Sequence, residues 1–203
     1  MGPTNDVNGE PLAPESIRMM DYLRTRAGEL STAMIRERIR TAAHELEGVV
    51  ATVSATEAHL RPIEGKWNIA EVVDHIAQTQ IRGTEELRHL LAGRRPPHPP
   101  VYEALRSGAG QWAPWELLVE ELHSANQAMI DLLASAPDEV APEAPTVKTV
   151  MVTLRTLPGG ASEPQIYFAE LGWKEYALLQ RLHLLDHRTQ VKNLRARCAE
   201  ASA

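Results

Sequence analysis

Two histidines, His183 and His187, stand four residues apart with Leu184, Leu185 and Asp186 between them. On a helix this spacing stacks the two imidazoles one turn apart on a single face. Tyr176, Leu179, Leu184, Val191 and Leu194 recur around them at helical spacing, which predicts a helix over 173–197 whose histidine face turns inward. Gln190 follows His183 by seven residues and falls on the same stripe, where it can stand beside a ligand or simply be a polar surface group. Taken alone, the pair reads either as hydrogen-bonded core histidines or as two ligands of an ion that needs a third. His75 offers that third nitrogen from a separate helix. Three neutral imidazoles leave a divalent cation with its full charge and at least one open position, and an all-imidazole set suits zinc, nickel, copper or iron. Such a centre brings water toward a pKa of about 7 and favours thiolate over thiol, so hydrolysis and thiol transfer both come within reach. The residues between the histidines are not those of the zinc-peptidase pattern His-Glu-x-x-His, which disfavours a peptidase.

The segment carrying His75 has a well-marked start. In Trp67-Asn68-Ile69-Ala70-Glu71, Asn68 and Glu71 have the spacing of a capping box, in which each side chain satisfies an orphan amide at the start of a helix. Trp67 reads as a structural staple on the first turn. Ile69, Val72, Val73, Ile76, Gly83, Leu87, Leu90 and Leu91 then mark the buried stripe, with His75 at its edge and Gly93 near the end. Asp74 and Asp186 are expected to be solvated salt-bridge partners. His44, His59, His89, His98 and His123 are expected at the surface, and Cys198 as an inert thiol.

Three further helices are predicted. Ser16 can cap a short one bearing Ile17, Met20 and Leu23, interrupted by Gly28 and Ser31; a longer one runs from Thr32 to about Ser54; another starts near Pro114-Trp115 and stops before Pro137. The β-branched run 146–156, Pro158-Gly159-Gly160 and Gln165–Phe168 suggest a small hairpin, or else an extended loop over one mouth of a bundle. Residues 1–15, rich in proline, glycine and asparagine, read as a flexible arm, leaving 16–203 as a single helical domain. The expected fold is therefore all-α: an up-down four-helix bundle with a long crossover between its third and fourth long helices.

Composition removes several functions. The formal net charge is −6, against the basic stripe that nucleic acid requires. No apolar run approaches the roughly 18 residues that span a bilayer, and the N-terminus lacks a signal-peptide core. One cysteine in 203 residues excludes an internal disulfide and fits a reducing cytoplasm.

Gly65-Lys66-Trp67-Asn68-Ile69-Ala70-Glu71-Val72-Val73-Asp74-His75, together with His183-x-x-x-His187-x-x-Gln190, resembles the DinB/YfiT-like superfamily of four-helix bundles over roughly residues 31–197. The resemblance implies that His75, His183 and His187 hold zinc or nickel, with Gln190 beside them. It also implies a homodimer and a small-molecule substrate. Members of the superfamily include thiol S-transferases using mycothiol or bacillithiol and a thiol-dependent maleylpyruvate isomerase, and many others are described only as metal-dependent hydrolases. The expectation is thus an enzyme that uses a metal, and a low-molecular-weight thiol as possible cosubstrate, for hydrolysis or S-transfer. The alternative is a metal-stabilised bundle that binds a ligand or partner without turnover. The extension before residue 31 and the 146–168 segment depart from the family pattern and bear on substrate identity.

Overall fold

The structure, a computed structural model, describes residues 3–157 and 159–201; residues 1, 2, 158, 202 and 203 lie outside the described set, and with them Pro158 of the expected hairpin turn. It is mostly helical, with one small two-stranded antiparallel sheet. In chain order the elements are α1 (Pro14–Glu29), α2 (Thr32–Val50), the single-turn α3 (Ala55–His59), α4 (Ile69–Leu91), α5 (Trp115–Leu132), β1 (Val147–Thr156), β2 (Ser162–Leu171) and α6 (Trp173–Ala201). No helix among the described residues is long and apolar enough to cross a membrane.

The four long helices enclose one core. α4 packs between α5 and α6, and α2 closes the group against the same two helices. Ile35, Ile39, Leu46, Val72, Val73, Ile76, Leu87, Leu118, Leu122, Met129 and Leu184 are buried there. α4 lies deepest, burying polar Asp74, Gln80, Thr84 and Glu86 as well as its apolar stripe. Its contacts run in opposite order along α6: His75 meets His183, Gly83 meets the Gln180 amide, and Glu86 accepts from the Tyr176 hydroxyl. The two helices are therefore antiparallel. A Cβ on Gly83 would lie 2.8 Å from the end of the Gln180 side chain, so glycine gives that amide its place against α4.

The 146–168 segment forms the hairpin rather than the alternative loop, with Val147 opposite Leu171 and Met151 opposite Tyr167. Its inner residues Val147, Met151, Tyr167, Ala169 and Leu171 are buried, and it packs on α1 and α6. The hairpin also holds the N-terminal segment, which the sequence read as loose. Val7 N–H donates to the Ile166 carbonyl at 2.9 Å, Ala13 N–H donates to Gln165 Oε1 at 2.8 Å, and Leu12 joins the core. The physical reason is a single buried amide: Gln165 also meets Ser16 Oγ at 2.9 Å and the Pro11 carbonyl at 3.1 Å. Ser16, expected as a helix cap, is instead buried against Gln165 and Thr153, because Pro14 already opens α1 with its preset φ. α2 also ends at Val50, short of the expected Ser54, and Ser54 caps α3 instead.

Candidate metal centre

α4 begins with the capping box read from the sequence: Glu71 N–H donates to Asn68 Oδ1 at 2.8 Å and Asn68 N–H donates to Glu71 Oε2 at 2.9 Å. This fixes the first turn and so the position of His75 one turn on. α6 is likewise started by Glu175, whose carboxylate accepts from Gly172 N–H at 2.8 Å.

The structure brings His75, His183 and His187 to one point. Their rings stand edge to face, with centroids 4.3, 4.9 and 5.1 Å apart. The Nε2 atoms converge: His75 to His183 is 3.1 Å and His187 to His183 is 3.0 Å. Three ligands of tetrahedral zinc, with Zn–N bonds of about 2.0–2.1 Å, would sit about 3.3 Å apart.

The opposite nitrogens decide which lone pairs face inward. His75 Nδ1–H donates to the Leu105 carbonyl at 2.8 Å, an atom that can only accept. His187 Nδ1–H donates to Gln190 Oε1 at 2.7 Å. Both Nε2 atoms are then bare lone pairs aimed at His183. His183 Nδ1 is buried and has no hydrogen-bond partner among the described residues. A proton on His183 Nε2 can be directed fully at one neighbour only, whereas a cation at the centre satisfies all three nitrogens. The donor set therefore fits a divalent metal ion.

Electrostatics agree with neutral ligands. Burial holds His183 well below the ordinary histidine range, and positive charge on His187 or His75 would depress it further. Burial likewise pushes His187 down to about 4, and His75 is lowered first by burial. As pH falls from 6.5, the unfolded chain takes up protons that the folded triad resists, His187 down to about pH 4 and His75 and His183 also below the ordinary histidine range. The unfolded state binds more protons in that window, so stability of the metal-free protein falls as pH drops through it. Thermal melts of metal-free protein between pH 7.5 and 4.5 are expected to show this decline, and His187→Leu to flatten it; an equal decline in both would contradict the assignment.

The loop after α4 supports the triad. Leu105 supplies the carbonyl behind His75. Asp74, expected in solvent, is instead buried and accepts from Ser107 Oγ at 2.6 Å, Ser107 N–H at 3.2 Å and Gly108 N–H at 3.1 Å. Three donors of the loop replace the water that a lone carboxylate would keep. Gly110 rests on the first turn of α4, where a Cβ would lie 2.7 Å from Glu71 Cα. Asp74→Ala strands those donors, and outer partners of a ligating histidine typically affect metal affinity by about 10–100-fold. Zinc affinity measured by chelator competition is expected to fall by that order; unchanged affinity would show that the loop does not orient His75.

Trp67, read as a staple, also lies beside the centre, its ring centroid 5.1 Å from that of His75. His44, His59 and His123 are exposed as expected; Asp186 is exposed too, but makes no ion pair among the described residues. His98 reaches Glu85 at 3.2 Å on the surface, and His89 is half-buried. Cys198 is buried, and its thiol is pushed up by burial and by the Glu57 carboxylate, which keeps it an unreactive thiol.

A sequence model of the DinB superfamily matches residues 38–157, more than half of the chain. The chain belongs to the DinB superfamily. The matched span includes Trp67 and His75 and ends before α6, so the α6 histidines reach the site through the fold rather than through the match. No curated protein sequence matches the chain. Two solved structures, of the mycothiol-dependent maleylpyruvate isomerase and of a point mutant of it, superpose with a TM-score of 0.57 at 12% identity, covering 81% of this chain and 62% of theirs. This DinB protein thus spans about three fifths of that neighbour's length, and at such identity the likeness is one of fold.

Proposed function

We propose that this DinB protein is a metal-dependent enzyme that activates water or a low-molecular-weight thiol for hydrolysis or S-transfer on a small molecule. His75, His183 and His187 are its metal ligands, zinc being the first expectation and nickel the second. The observation that carries the reading is the convergence of the three Nε2 atoms, two of them with their protons committed to the far side of the ring. The thiol-dependent neighbour supports the thiol branch through fold likeness alone. The four long helices are taken as an up-and-down bundle, with the hairpin carried on the crossover between α5 and α6.

A divalent cation held by three neutral imidazoles supplies Lewis acidity, which lowers the pKa of water to about 7 and favours thiolate over thiol. The protein does the rest by position. Leu105 and Gln190 hold two rings in the tautomer that presents Nε2. Burial keeps the imidazoles unprotonated at neutral pH, so no proton competes for their lone pairs.

The test is turnover. Zinc-loaded or nickel-loaded protein is expected to consume an electrophile such as monochlorobimane in the presence of a small thiol, or to hydrolyse small esters or amides. The metal-free protein is expected to do neither. Stoichiometric metal without any turnover across such a panel would reduce the centre to a structural one.

A further inference from the structure

Next to the triad stands a cation whose hydrogen-bonding capacity is unspent. Arg106 lies between Leu105, whose carbonyl accepts from His75, and Ser107, which Asp74 grips through both its amide and its hydroxyl. Its backbone is therefore anchored on both sides. The guanidinium stacks on Trp67, with Cζ 4.9 Å from the ring centroid, and Trp67 in turn faces His75. Arg106 is close enough to the centre for its charge to lower the proton affinity of His75.

The carboxylate set against it does not engage it fully. Glu71 Oε1 lies 3.6 Å from the nearer Arg106 nitrogen, an ion-pair separation and not a hydrogen bond. Glu71 Oε2 is already shared by Asn68 N–H at 2.9 Å and by Arg61 at 2.9 Å. Arg61 is occupied, since it also donates to the Lys66 carbonyl. Arg106 donates no hydrogen bond among the described residues, although 35% of its side chain is exposed. A guanidinium set over an indole face leaves its N–H donors for a planar acceptor such as a carboxylate, which can take two parallel hydrogen bonds.

We propose that Arg106 is the carboxylate anchor of the substrate site, binding one end of a small molecule whose reacting atom lies at the histidine triad. The inference rests on the functional reading above and narrows its substrate class to carboxylate-bearing molecules. The carboxylate belongs either to the thiol or to its reaction partner, and the chemistry that recognises it is the same in both cases.

Binding, not turnover, tests this. In the thiol arm, 3-mercaptopropionate is compared with neutral 2-mercaptoethanol on zinc-loaded protein. In the other arm, malonate is compared with neutral malonamide, on zinc-loaded and on metal-free protein. Each pair is titrated calorimetrically into wild type, Arg106→Gln and Arg106→Lys. A charge-assisted pair of hydrogen bonds predicts a preference for the carboxylate of about tenfold or more in wild type. Arg106→Gln should erase it and Arg106→Lys, which keeps a point charge without the fork, should retain part of it. Preference in the thiol arm alone places the carboxylate on the thiol, and preference in the malonate arm alone places it on the partner. A preference that survives intact in Arg106→Gln, or one absent from both arms in wild type, overturns the proposal. Failure of zinc to bind would overturn the triad instead, while the metal-free malonate arm still reads Arg106.

Discussion

His183→Ala is expected to abolish stoichiometric metal binding. His183 Nε2 is the atom that His75 Nε2 and His187 Nε2 both approach, at 3.1 and 3.0 Å, so its removal deletes the common apex of the proposed site. The loss should exceed the roughly 10–100-fold that follows removal of an outer partner. A second consequence is thermodynamic. An ion that binds only the folded state stabilises it by about 2.7 kcal/mol when present at a hundred times its Kd. Zinc should therefore raise the melting temperature of wild type and leave that of His183→Ala unmoved. His123→Ala serves as the control, since that ring is exposed and bonded to Glu47 far from the triad. Full zinc occupancy in His183→Ala would show that the three nitrogens do not act as one site.

Gly110→Ala is the second large effect, and it works through backbone. The new methyl would lie 2.7 Å from Glu71 Cα, 2.8 Å from the Ala70 carbonyl oxygen and 2.9 Å from Glu71 N, all atoms of the capped first turn of α4. None of these can swing aside, so the loop must lift, and with it the Leu105 carbonyl behind His75. Overpacking of this kind costs about 1–3 kcal/mol, and zinc affinity should fall along with stability. Gly83→Ala provides the comparison. Its methyl would meet the far end of the Gln180 side chain, also at 2.8 Å, and a side chain can move. The expected order is a larger loss in melting temperature for Gly110→Ala than for Gly83→Ala, with only the former weakening zinc. Equal effects on zinc affinity would mean that the loop does not transmit position to His75.

The triad was legible because its signals are local. Two histidines at helical spacing, the Asn68-x-x-Glu71 cap and the tryptophan before it are patterns that a short stretch of chain enforces by itself. The four long helices were legible for the same reason, since each carries its own apolar stripe. What supports the triad was not legible. The Leu105 carbonyl is backbone and leaves no mark on residue type. Asp74 looked like a solvated acid because periodicity says where a side chain points, not which loop will return to meet it 33 residues later. Ser16 and the N-terminal segment were misread likewise: their partner is Gln165, about 150 residues away, and one buried amide decides both. Arg106 sits in an irregular stretch without periodicity, and only the structure shows it stacked on Trp67.

In the proposed centre, three imidazole nitrogens coordinate one ion. Zinc K-edge X-ray absorption on untagged protein, loaded with one equivalent of zinc and dialysed, tests it most directly. Retained zinc with three imidazole nitrogens at about 2.0–2.1 Å and a remaining light ligand is expected. Zinc lost on dialysis, or a shell showing fewer than three imidazoles, would contradict it.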